Sequence, residues 1–163
     1  MNSQANPEFW ISPLRRLTQA EMTYFFVANQ PAPFADLDRL LESLYAAKAL
    51  AGLGETGPDI TRYYPLKASQ PGEPDLYQLE VGIPVKPGTR PAGAAQVKQL
   101  PPFECAGMLL WGSLAHITQA YQSLIQAIRE AGLEQTGESR EWNYWFESVD
   151  SPVNLMGLFM AVR

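Results

Sequence analysis

The segment Arg140-Glu-Trp-Asn-Tyr-Trp-Phe-Glu147 holds the residues best suited to chemistry. As an alternating strand it sets Glu141, Asn143 and Trp145 on one side, with Trp142, Tyr144 and Phe146 on the other. The second set is expected to pack under helices and the first to face an open side. A carboxylate, an amide and an indole in one row suit a flat or cationic ligand. An aromatic face attracts positive charge by about 0.5–2 kcal/mol, and a partly desolvated carboxylate adds a charge-assisted contact. The same carboxylate in a dry pocket is a general base. Glu141 is therefore the catalytic candidate if the protein is an enzyme. The plainer alternative is a solvent-facing Glu beside a partly exposed Trp.

Further candidates are weaker. Glu80 takes the matching place in the first half of the chain, beside Gln78, where a surface carboxylate is the competing explanation. Tyr63 and Tyr64 alternate faces, so one of them is expected to face the cleft. Tyr24 and Trp111 end the two leading strands near the centre, and Tyr121 lies on a helix stripe. Core packing accounts for Tyr24 and Trp111 about as well as ligand binding does, and for Tyr121 it is the better explanation. His116 reads as an exposed residue of a first helical turn. Cys105, the only cysteine, reads as a small buried hydrophobe without a disulfide partner. No CxxC, HExxH or His pair is present, so no metal is expected. There is no Walker A loop, no GxGxxG after a strand and no GxSxG elbow. No cofactor is expected.

The elements that must position these residues are legible. Thr23–Ala28 is rich in strand formers, and Pro31 and Pro33 break it. Leu37, Leu40, Leu41, Leu44 and Tyr45 recur at helical spacing, with Asp36 and Asp38 at the start and Gly52 and Gly54 as the stop. A strand around residues 60–64 is limited by Pro65, and residues 70–74 form a turn. Tyr77, Leu79, Val81, Ile83 and Val85 alternate with Gln78, Glu80 and Gly82. Residues 86–95 read as a Pro/Gly-rich connection. The order then repeats: a strand over 103–111, Ser113 as N-cap, and a helix marked by Leu114, Ile117, Tyr121, Leu124 and Ile128 and stopped by Gly132. Strands over 140–147 and 154–162 follow, separated by the Asp150-Ser151-Pro152 turn. Matching elements are shifted by about 80 residues, the mark of an internal duplication.

These expectations define an α+β fold of two strand-helix-strand-strand modules, about residues 15–88 and 95–163, after an N-terminal arm over residues 1–14. The antiparallel sheet carries both helices on one face, and the ligand cleft is expected between the modules, on the face without helices. The 163 residues suffice for one domain, and 46% of them are hydrophobic, enough for a full core. The formal net charge is −5, and the 12 basic residues form no stripe, which argues against nucleic acid and anionic membrane as partners. No signal peptide or membrane span is read, so a cytoplasmic location is the default.

One resemblance adds to this reading. Tyr77-Gln-Leu-Glu-Val-Gly-Ile-Pro-Val85, Ala120-Tyr-Gln-Ser-Leu124, Arg140-Glu-Trp-Asn-Tyr144 and Asp150-Ser-Pro-Val-Asn154 together resemble the GyrI-like small-molecule-binding proteins. That family is related to the effector-binding domains of multidrug-sensing transcription activators. The likeness covers about residues 15–163 and implies the same duplicated fold, with a central aromatic cleft and an acid, here Glu141, that contacts lipophilic cations. Some stand-alone members hydrolyse strained cyclopropane-containing alkylating compounds with a Glu and a Tyr. Glu141 matches the first, while Tyr63, Tyr64 and Tyr121 are candidates for the second. The chain departs from the family at Trp111-Gly-Ser113, where Gly-Pro-Tyr is usual. No helix-turn-helix precedes the domain, so a stand-alone binder of hydrophobic, aromatic or cationic compounds is expected. The alternatives are a hydrolase using the same cleft, and a protein-interaction module that inhibits a larger target.

Overall fold

The computed structural model describes residues 9–32, 36–55, 57–66, 72 and 76–163. The first eight residues of the expected arm, Pro33, and most of the expected turn at residues 70–74 lie outside these. The first unit comprises β3 (Met22–Ala28), α1 (Leu37–Leu50), β4 (Asp59–Leu66) and β5 (Leu76–Val85). The second comprises β7 (Phe103–Gly112), α2 (Ile117–Glu130), β8 (Gln135–Trp145) and β9 (Leu155–Val162). Three further strands, β1 (Phe9–Ile11), β2 (Arg15–Gln19) and β6 (Gln96–Leu100), complete the sheet. All described strands join one nine-stranded sheet in the order β1-β7-β9-β8-β4-β5-β3-β6, with β2 also on β7.

Local chemistry sets the element ends. The Asp36 carboxylate accepts from the Arg39 N–H at 3.1 Å and caps α1. Ser113 accepts from the Ala115 N–H at 3.1 Å, capping the short 3-10 turn that leads into α2. Gly52 and Gly132 follow the two helices at φ of 65° and 70°, a region open to glycine at no steric cost. Strand β4 runs one residue beyond Pro65, and β8 begins five residues before Arg140 and ends at Trp145 rather than Glu147.

Two apolar clusters lie on the helix-bearing face. Leu40, Leu44 and Ala47 of α1 pack on Phe25, Val27, Leu79, Val81 and Ile83. Ala120, Leu124 and Ile128 of α2 pack on Ala106, Met108, Leu110, Met156 and Leu158.

The opposite face is not open. Strand β2 pairs with β7 but connects through Ala20-Glu21 to β3, at the far margin of the sheet. Strand β6 pairs with β3 but connects through Pro101-Pro102 to β7. A two-residue link spans at most about 11 Å, whereas β7 and β3 of a flat sheet would stand about 24 Å apart. The sheet must therefore curl until its margins meet, enclosing its own inner face. Two more clusters fill that face: Tyr24, Phe26, Ile60 and Leu100, and Phe103, Cys105 and Phe159, with Trp142 packed against both. Phe159 lies over Gly107, where an added Cβ would collide with its ring and sit 2.7 Å from the Leu158 carbonyl oxygen. Gly107→Ala should lower the unfolding free energy by about 1–3 kcal/mol in urea denaturation.

Candidate functional site

Strands β4 and β8 meet at the middle of the sheet, in the register Thr61↔Glu141, Arg62↔Arg140 and Tyr63↔Ser139. Arg62 and Arg140 hold matching places in the two units, so the pseudo-two-fold axis passes through their pair. Alternation sends Tyr63, Thr61, Glu141 and Asn143 to the helix-bearing face, and Arg62, Arg140 and Trp142 to the inner face. This reverses the expected orientation of the β8 side chains. Glu141 lies with the helices, and Trp142 packs on the side away from them.

On the helix-bearing face, Glu141 is only 6% exposed. The Tyr121 hydroxyl, brought by α2, donates to its Oε1 at 2.6 Å. The Tyr63 hydroxyl, brought by β4, donates to its Oε2 at 3.0 Å. Tyr63 packs against the α1 cluster and Tyr121 against the α2 cluster. The carboxylate thus sits where the two apolar cores meet. No Lys, Arg or His among the described residues forms an ion pair with it. The other half-chain candidate, Glu80, is different: Arg62 and Lys98 both hold it at 2.5 Å.

Burial pushes the Glu141 carboxyl above the usual range, and the hydrogen bonds from Tyr121 and Tyr63 only partly oppose this. Burial also raises both tyrosines, and the neighbouring carboxylate adds to it. A carboxyl whose pKa rises on folding favours the fold below its unfolded value; that contribution is lost as pH climbs through the folded value. Glu141→Gln should therefore gain thermal stability relative to wild type as pH rises from 4 to 8. A constant difference in melting temperature over that range would contradict the burial.

The expected site residues divide between the faces. Tyr63, Tyr121 and Glu141 come together, with Asn143 next along the same face, opposite Asp59. Tyr24, Tyr64, Glu80 and Trp111 are on the inner side and cannot join the same group. Tyr24 is fully buried and donates to the Ile60 carbonyl oxygen at 2.7 Å. The Tyr64 ring centroid is 4.8 Å from the Arg62 guanidinium carbon. Trp111 is 50% exposed beside Trp10 of β1. Trp145 lies past an irregularity between Asn143 and Trp145 and is 60% exposed. His116 is half-buried, not exposed, and stacks on Phe9 at 4.2 Å. Cys105 is buried, as expected, and burial raises its thiol to about 11.

Sequence reasoning missed Thr61, which stands directly opposite Glu141, and the charged groups of the inner face. The matching places of Arg62 and Arg140 in the two units were the available signal. Among the described residues no cluster of three His, Cys, Asp or Glu could hold a metal ion, and no helix is long and apolar enough to cross a membrane.

No family model and no curated protein sequence matches the chain. Solved structures share the fold. The EcmrR C-terminal domain superimposes with a TM-score of 0.69 at 15% identity, over 95% of this chain and 98% of that one. A protein described as a hydrolase from Listeria innocua gives 0.64 at 14% identity, over 93% and 92%. SAV2435, solved with bound tetraphenylphosphonium, gives 0.56 at 12% identity, over 92% of each chain.

Proposed function

We propose that the protein binds small hydrophobic or aromatic compounds, with a preference for cations, over Glu141 at the seam of the α1 and α2 clusters. One observation carries this reading: a buried carboxylate at the seam of two apolar clusters, held by two tyrosine hydroxyls, with no cation among the described residues paired with it. A buried charge without a counter-ion is costly, and a lipophilic cation entering the seam supplies one. Apolar ligand area contributes about 25 cal/mol per Å² buried, and the tyrosine rings add attraction for positive charge. Support comes from the shared fold with SAV2435, which holds a cationic ligand of this type, and from the resemblance to GyrI-like proteins.

The ionised form of Glu141 is the binding form, so cation affinity should rise with pH. Calorimetric titration with tetraphenylphosphonium between pH 5 and pH 8 tests this. Saturable binding that strengthens with pH is the expected result. No binding at any pH, or affinity that ignores pH while Glu141 titrates, would sink the proposal.

A second reading has its own support. The carboxylate with two tyrosine hydroxyls is also a water-activating arrangement, and one structural neighbour is described as a hydrolase. Glu141 would then act as general base on a water attacking a strained lipophilic compound. Product formed from such a substrate, absent in Glu141→Gln, would favour hydrolysis over binding alone.

A further inference from the structure

A recess lies on the inner face, on the far side of the sheet from Glu141. It encloses about 380 Å³ and is lined by Arg62, Arg140, Thr136 and Glu138, with Pro101, Pro102, Phe103 and Val162 among its apolar walls. Both arginines are almost wholly buried. Their Nε groups donate to the same Glu138 oxygen, at 2.8 Å and 2.7 Å. Arg62 also reaches Glu80 and Arg140 also reaches the Gln19 side chain. Lys98 completes the network on Glu80.

This network carries three cations, Arg62, Arg140 and Lys98, against two anions, Glu80 and Glu138. Glu104 also lines the recess but is exposed, where water and salt screen it. A guanidinium has five N–H donors in a fixed fork. The Nη2 group of each arginine makes no hydrogen bond among the described residues. The Trp142 indole N–H is likewise buried without an acceptor. The ion-pair network therefore has unused donors and one more cation than it has anions. The Phe103 ring centroid lies 3.8 Å from the Arg140 guanidinium carbon.

We propose that this recess is a second ligand site, for a small carboxylate with an apolar body. The carboxylate would bridge the free Nη2 groups of Arg62 and Arg140, which the planar fork suits. The apolar body would lie on Phe103, the two prolines and Val162. Such an anion would offset the cost of burying the Arg140 charge, which holds its pKa below the usual value.

Benzoate is the probe, followed by amide and arginine Nε–H shifts in NMR of the full chain. Saturable shifts are expected at Thr136, Ala161, Val162 and the two arginines, with Tyr63, Tyr121 and Asn143 unmoved. Arg140→Lys should weaken binding at least about tenfold, because Lys cannot present the fork. Should that buried change unfold the protein, Thr136→Trp serves instead. It lies at an exposed strand position, fills the mouth, leaves the ion pairs intact and should cost at least tenfold. Three results would each overturn the proposal: no saturable shifts, shifts centred on Tyr63 and Tyr121, or inorganic phosphate binding as tightly as benzoate.

Discussion

Glu141→Gln is expected to weaken tetraphenylphosphonium binding at pH 8 by about 30-fold or more, while a neutral triphenyl compound changes by no more than about twofold. The substitution keeps the size of the side chain and one oxygen to accept a tyrosine hydroxyl. What it removes is the charge. Between two apolar clusters that charge acts in a medium of low effective dielectric, so its loss is felt far more than at the surface. Parallel calorimetric titrations of both ligands on both proteins give the comparison. An equal loss for the two ligands would mean that the substitution had changed the shape of the site. Undiminished cation binding would remove Glu141 from the site.

The second large effect belongs to the inner face. Glu138→Ala should lower the unfolding free energy by about 3–5 kcal/mol. It strips two buried guanidiniums of the oxygen they share. The surface pair Arg163–Glu134 is the control: both side chains are largely exposed, and Glu134→Ala should cost under about 1 kcal/mol. Urea denaturation of the two variants checks both values. A Glu138→Ala protein within 1 kcal/mol of wild type would mean that the network is solvated, and would weaken the case for a ligand site there.

Helical spacing placed α1 and α2, and alternation placed β5, because each has one apolar face and one polar or half-exposed face. Glu141 and its tyrosine partners were also legible as candidates. The orientation of β8 was not. Alternation separates Glu141 from Trp142 but does not say which side the helices occupy. The aromatic set was assigned to the helices on the premise that only one face is buried. That premise fails because the links Ala20-Glu21 and Pro101-Pro102 curl the sheet onto itself, so the inner face also needs large apolar side chains such as Tyr24, Phe103, Phe159 and Trp142. The strands responsible, β2 and β6, were missed for a related reason. Arg15–Gln19 and Gln96–Leu100 are short and largely polar, and their partners lie far along the chain. Nothing local marks them as strands. The Arg62–Glu138–Arg140 network shares this non-local origin, since it exists only once β4 and β8 pair.

The structure of the protein with tetraphenylphosphonium bound tests the central claim most directly. The expected result places the phosphorus over Glu141 on the helix-bearing face, with the Tyr63 and Tyr121 rings against the phenyl groups and both helices in contact with the ligand. A ligand found on the inner face, among Tyr24, Tyr64 and Trp111, would contradict the account and return the site to the side of the sheet that the helices do not cover.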